Sequence, residues 1–459
     1  LRTDSRASPS PSHPIAAQHE VVRPTVQHAT QSGSDWSNYD ATQRPNDPHI
    51  NRINKRSFDR QRVVDQLTQG IGTWQDSNRN NQTEIAYFFN NNRGSAFNEY
   101  QKQEARRSIQ SWSDVANLAF TENGARAEGR LTFSINKDES TAVGHYPSNH
   151  PSAGDTVYNP AYVTRNTLTH EIGHALGLRH PGDYNHAGKN DKRTSDDIAQ
   201  LRVYAQDSLA HTVMSYLPGR YSGKHHDNRP TAPMMDDISA IQHKYGANHQ
   251  TRRENNTYGF NSNSGRDHYS LRNNRDAAVF CIWDGAGNDT LDVSGYHSNQ
   301  VINLKDGSFS DVGGYRGNVS IARDCVIENA VGGSGHDVLI GNDADNQLTG
   351  GAGADRLRGG RGVDTFIYNH ASDSTPENPD EIMDFISGTD KIDLCAVEKE
   401  ANTPLTLVKE FTGRIGETLV SFNAANQRYF IAIDLTGNRR ADFLLNSTQT
   451  IKPRDIFLN

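Results

Sequence analysis

Thr169-His170-Glu171-Ile172-Gly173-His174-Ala175-Leu176-Gly177-Leu178-Arg179-His180-Pro181 carries the pattern H-E-x-x-H-x-x-G-x-x-H. On a helix, positions i and i+4 share a face, so His170 and His174 aim their imidazoles at one point. Glu171 lies one position round, placed to reach a metal-bound water as general base rather than to ligate. Gly177 lets the backbone leave the helix through a left-handed conformation. The turned chain then returns His180 as a third ligand. Three neutral imidazoles with one open position describe a catalytic zinc site rather than a closed structural one. A bare H-E-x-x-H arises readily by chance, but its extension through Gly177 and His180 does not.

Toward the N-terminus, Thr141–Tyr146 reads as an edge strand. Its unpaired amides would hold an extended peptide by β-augmentation, or it is an ordinary sheet edge. Arg130–Ile135 and Glu84–Phe89 read as strands. Residues 99–118 form an amphipathic helix with Ala105, Ile109, Trp112, Val115 and Ala116 near helical spacing, and Arg60–Thr68 a shorter one. Residues 51–250 are thus expected to be an α+β catalytic domain. Residues 1–50 are rich in Ser, Pro, Gln, His and Asn without apolar periodicity, and read as a disordered leader or pro-segment. They hold no Cys that could latch onto the metal.

Toward the C-terminus a polar loop runs past residue 200 to Thr212-Val213-Met214-Ser215-Tyr216. There Met214 offers an apolar floor beneath the histidines, and Tyr216 a hydroxyl for the metal or an oxyanion. Pro233–Asn248 is helical, with Ile238, Ile241 and Tyr245 on one stripe.

From Gly332 a nine-residue period sets in over 332–367, following Gly-Gly-x-Gly-x-Asp-x-apolar-x. Gly332, Gly333, Gly335 and Asp337 open the first unit. Gly350, Gly351, Gly353 and Asp355 open the third, and Gly359, Gly360, Gly362 and Asp364 the fourth. The eighth residues Leu339, Leu348, Leu357 and Phe366 are expected to point inward. Two units make one coil, so Asp337 should stack on Asp355 and Asn346 on Asp364. Stacked carboxylates and turn carbonyls form an all-oxygen cage suited to calcium. The second unit has Asn342 and Asn346 for Gly and Asp, and should bind more weakly. Upstream, Asp284, Gly285, Gly287 and Asp289 have a similar glycine and acid density. Downstream, Asp390 is a candidate to cap the last site, or a solvated carboxylate. Residues 251–370 are therefore read as a calcium-binding region with a parallel β-roll. Residues 371–459 continue as strands packing with it in a β-sandwich.

A chain of 459 residues exceeds a single core. With 34% apolar residues and 38 glycines it fits a glycine-built repeat. A net charge of −8 disfavours nucleic acid as a partner and accommodates calcium. No apolar run is long enough to span a membrane. Cys281, Cys325 and Cys395 are widely spaced and read as small hydrophobes, with a bridge between two of them as the lesser alternative.

Taken together, His170–His180 and Met214 resemble the metzincin metalloproteases. His174–Asn185 and Val213–Tyr216 resemble the serralysin group of secreted bacterial proteases within them. The resemblance implies a metzincin zinc-protease domain followed by an all-β domain. It makes His170, His174, His180 and Tyr216 zinc ligands, Glu171 the base and Met214 the Met-turn. It also implies calcium carbonyls from Arg253 and Thr257, protein or peptide substrates, and a small protein inhibitor as partner. Asp455-Ile-Phe-Leu is similar to the C-terminal address of a one-step (type I) export machinery, although Asn459 departs from it. The chain lacks the pattern of an N-terminal secretory signal, and a secreted monomer is expected. The competing reading is a calcium-binding adhesion module on an inert protease scaffold. The complete set of site residues argues against it.

Overall fold

The structure is a computed structural model that describes residues 55–91, 95–184, 193–224 and 226–458, with the backbone of Arg6–Ala7. Two compact units emerge. The first runs up to Thr251 and takes in Val279–Gly285; the second comprises Arg252–Ala278 and Ala286–Asn459.

In the first unit, strands β1 (Arg6–Ala7), β2 (Thr83–Phe89), β3 (Leu118–Glu122), β4 (Gly129–Ile135), β5 (Ala142–Gly144) and β6 (Asp155–Tyr158) form one sheet. Their spatial order is β1-β5-β6-β4-β2-β3. Strands β2, β3, β4 and β6 run parallel, whereas β5 runs antiparallel to β6. The expected edge strand is thus present, shortened to Ala142–Gly144. Its outer side is taken by β1, with Arg6 opposite Val143. The rest of the leader reading lies outside the described residues.

Helices α1 (Arg60–Thr68), α2 (Glu99–Val115), α3 (Arg165–Ala175), α4 (Ser195–Gln200) and α5 (Met235–Tyr245) complete the unit. Asn98 and Gln101 cap the start of α2 reciprocally. Ala105, Ile109, Trp112 and Val115 are buried along its inner face. Trp112 Nε1 donates to Thr169 O at 3.1 Å, which ties α2 to α3.

Thr164 caps the start of α3. Its end is shaped by Gly177, at φ +97°, where a Cβ would lie 2.5 Å from Gly72 O. Only glycine fits both demands. The last carbonyls of α3 find side-chain donors: Trp74 Nε1 reaches Ala175 O at 3.0 Å, and Tyr245 Oη reaches Leu176 O at 2.9 Å. These bonds fix the exit angle that carries the chain to His180.

The second unit winds two parallel sheets from short strands. One runs through Thr257–Gly259, Thr290–Asp292, Asn329–Val331, Gln347–Thr349, Thr365–Ile367, Lys391–Asp393 and Ile456–Phe457. The other runs through Val301–Asn303, Val338–Ile340, Arg356–Arg358 and Asp380–Ile382. Leu339 pairs with Leu357, and Leu348 with Phe366. All four are fully buried, so the eighth position of each repeat builds the core. The C-terminal strands do not form a separate layer. Phe443–Ser447 joins Asp380–Ile382 in parallel and is followed by antiparallel Arg428–Asp434 and Glu417–Asn423. They lengthen one sheet of the roll, while Ile456–Phe457 ends the other. Cys281 and Cys325 are buried and Cys395 is half-buried. Among the described residues no helix is long and apolar enough to cross a membrane.

Candidate metal centre and carboxylate ladders

Helix α3 and its turned exit bring His170, His174 and His180 together, all buried. His180 Nε2 lies 3.2 Å from His170 Nε2 and 3.1 Å from His174 Nε2. The other ring nitrogens are engaged: His170 Nδ1 donates to Val213 O and His174 Nδ1 to Leu178 O, both at 2.7 Å. Those bonds fix the tautomer and leave bare Nε2 lone pairs facing one another. Burial holds His170 down at about 4 and lowers His174 well below the usual histidine range, so both stay neutral. Bare lone pairs this close repel unless a cation sits among them. A tetrahedral ion with bonds of about 2.0–2.1 Å needs nitrogens roughly 3.3 Å apart. The donor set fits a metal.

Glu171 is fully buried beside this centre. Strand β5 runs against it, for a Cβ on Gly144 would sit 3.1 Å from Glu171 Oε2. Tyr146 meets the His174 ring edge-on at 5.4 Å. Met214 is fully buried with its sulfur against Gly173. The Tyr216 ring lies 4.5 Å from that of His180.

The sequence matches known proteins over most of its length. It is 42% identical to "Metalloprotease AprA" of Pseudomonas entomophila over 88% of this chain and 90% of that protein. It is 44% identical to "Serralysin" of Photorhabdus luminescens over 75% of each, and 39% to "Serralysin G" of Dickeya chrysanthemi over 88% and 92%. Residues 247–458 match the family described as Peptidase M10 serralysin C terminal. The chain belongs to the serralysin metalloproteases. It is a metalloendopeptidase, and proteins are its substrates.

Two supports of this serralysin's metal centre escaped the sequence reading. Asp237, fully buried near the start of α5, accepts from Thr212 Oγ1 (2.6 Å), Val213 N (2.7 Å) and Met234 N (2.8 Å). It thereby clamps the turn whose Val213 carbonyl orients His170. Burial raises it to about 7 against the pull of those donors. Asp207 Oδ1 accepts from Tyr184 Oη (2.8 Å) and Ser215 Oγ (2.6 Å). Tyr184 stacks on His180 at 5.7 Å, and its hydroxyl oxygen accepts from Tyr216 N. Each support includes a bond between residues more than twenty positions apart, where periodicity carries no signal.

In the second unit the carboxylates stack in two ladders. Asp337 N donates to Asp355 Oδ1, and Asp355 N to Asp380 Oδ1, each at 2.8 Å. On the opposite side Asn346 N donates to Asp364 Oδ1, and Asp364 N to Asp390 Oδ1. Asp390 is thus a buried cap rather than a solvated carboxylate. Asp380 was missed because it follows Asp355 by 25 residues instead of 18.

Asp355 Oδ2 is buried and accepts no hydrogen bond from a described residue. Burial, with the Asp380 charge beside it, pushes Asp355 up to about 9; burial takes Asp364 to about 7. Such carboxylates fit a hard cation. Asn346 instead brings its own donor, with Nδ2 reaching Glu328 O at 2.7 Å and Asn342 Oδ1 at 2.9 Å.

Asp289 accepts from Asn256 N at 2.6 Å, and the backbone carbonyl that Gly287 approaches is that of Glu254. Asp284 is buried, as Gly285 packs against the Thr251 carbonyl. Arg253 is exposed, and Thr257 begins a strand paired with Thr290.

Proposed function

We propose that the metal of this endopeptidase is zinc, held by His170, His174 and His180, with Tyr216 as a further ligand in a metzincin arrangement. The convergence of three imidazole Nε2 atoms carries this reading. When bound, zinc supplies a Lewis acid that polarises the scissile carbonyl and acidifies a water. Glu171, dry and next to the ligands, takes the proton from that water and delivers it to the leaving amine. The Tyr216 hydroxyl donates to the oxyanion as it forms.

The substrate is read as an added antiparallel strand on β5, because Gly144 places that edge against Glu171. The backbone of Arg6–Ala7 already lies there in that sense, which supports a pro-segment role for the leader. Calcium is assigned to the ladders of Asp337, Asp355 and Asp364, capped by Asp380 and Asp390, and to the Asp284–Asp289 loop. Secretion by one-step export and control by a small protein inhibitor rest on family resemblance.

The test is cleavage of unfolded casein by the calcium- and zinc-loaded chain beside its Glu171→Ala variant. The variant should retain zinc and lose about 10²–10⁴-fold in rate. A variant that keeps its rate removes Glu171 from the chemistry.

A further inference from the structure

Strand β6 lies next to β5 on its inner side, and both pack against α3. In their antiparallel register Gly144 stands opposite Thr156, and Ala142 opposite Tyr158. Opposite residues share a face of the sheet, and so do residues two apart on a strand. That face is the one that meets Glu171. A Cβ on Gly144 would sit 2.6 Å from Glu171 O and 3.1 Å from Glu171 Oε2. Tyr158 therefore belongs to the same wall as Gly144, one strand further in.

Its side chain is fully buried and held between rings. It meets Phe97 edge-on at 5.6 Å and stacks on Phe133 at 6.4 Å. Yet the hydroxyl at its tip has no hydrogen-bond partner among the described residues. Thr156, its neighbour on that face, gives its own proton to Thr132 O at 2.6 Å. A buried hydroxyl without a partner costs stability, and a phenylalanine would fill the same space without that cost. Packing explains the ring, then, but not the oxygen.

The charge that bears on this hydroxyl is that of Glu171. Burial first, and the Glu171 carboxylate second, raise Tyr158 well above the ordinary tyrosine range. It keeps its proton at neutral pH and stands as a neutral donor near an acid. Glu171 must take a proton from the water and return it to the leaving amine without turning away from the metal centre. A donor on a ring that cannot move would fix the plane of its carboxylate. Such catalytic hydrogen bonds often close only once substrate is bound.

We propose that Tyr158 is a positioning residue whose hydroxyl donates to the Glu171 carboxylate during turnover and holds it in line with the attacking water. The proposal rests on the reading of Glu171 as general base and adds the group that aims it.

The experiment uses the full chain loaded with zinc and calcium in four forms: native, Tyr158→Phe, Glu171→Ala and the double variant. Each is assayed on one peptide substrate, with zinc content and melting temperature measured alongside. Tyr158→Phe should hold zinc as the native protein does, melt at or above the native temperature, and show a kcat about tenfold lower at an unchanged KM. In the Glu171→Ala background the same change should cost nothing further. A Tyr158→Phe protein with the native kcat overturns the proposal. So does one that loses zinc or melts lower, because the hydroxyl would then be structural. An equal loss in the Glu171→Ala background also overturns it, because the hydroxyl would then act elsewhere. Glu171→Ala at the native rate would instead strike the reading of Glu171 as base, and the proposal with it.

Discussion

The metal centre and the roll both gather side chains suited to cations, yet they are built in opposite ways. At the centre the ligands are neutral imidazoles whose outer nitrogens are already bonded to Val213 O and Leu178 O. The protein supplies the geometry, and the metal adds chemistry. In the roll the candidate ligands are buried acids stacked on one another, and Asp355 is left with an oxygen that no described residue satisfies. A calcium ion bound there, as proposed, would supply part of the folding energy itself. A site preorganised by hydrogen bonds keeps its shape when empty; one built from buried acids is destabilised.

The largest expected effect sharpens that contrast. Chelating calcium should lower the unfolding temperature of the second unit at neutral pH by the widest margin, whereas removing zinc alone should leave the transitions of both units close to where they were. Differential scanning calorimetry with selective chelators reads this directly. A calcium-free chain with an unchanged transition would erase the difference.

The pH dependence has a definite sign. Folded without calcium, Asp355 keeps its proton up to about 9, whereas in the unfolded chain it loses it near about 4. The stability it contributes is therefore fully present in acid and is lost as pH rises through about 9. The chelated protein should melt higher at pH 5 than at pH 8. Calcium should reverse the order, because it binds the ionised form. Melting temperatures at the two pH values, with and without calcium, decide the point.

A smaller effect tests the centre. Asp237→Asn weakens the clamp on Thr212 and Val213, and so the orientation of His170. Zinc affinity, measured by competition with a chelator, should fall about 10–100-fold. An unchanged affinity would mean that the histidines hold their positions without that support. The smallest effect belongs to Asp355→Asn. With no carboxylate to protonate on folding, the calcium-free chain should gain on the order of 1 kcal/mol of stability at neutral pH, while the calcium-loaded chain loses some. Chemical unfolding curves with and without calcium should shift in opposite directions.

Both regions were legible where chemistry repeats at fixed spacing. Four residues separate His170 from His174, and the eighteen-residue register of the roll follows from its nine-residue units. Spacing stops speaking once the chain closes on itself from a distance. Asp237 and Asp207 serve the centre through backbone turns that no periodicity marks. Asp380 continues a ladder, but the seven-residue lengthening of that coil hides it. The final strands alternate as a sandwich would, yet they extend the existing sheets. Alternation fixes which side chains face inward but not which strand lies alongside. Arg6–Ala7 has too short a pattern to announce a strand; its conformation comes from the β5 edge it meets.

The eighteen-residue register also sets the grain in which this molecule can be edited. Each coil touches only the coils before and after it, so its stability is a sum over neighbours. Duplicating or deleting a block of eighteen would return every remaining strand to its own sheet. A block of nine would send all that follows to the opposite sheet, and the closing strand Ile456–Phe457 would arrive at the wrong edge. Growth by whole coils is the arithmetic this architecture permits.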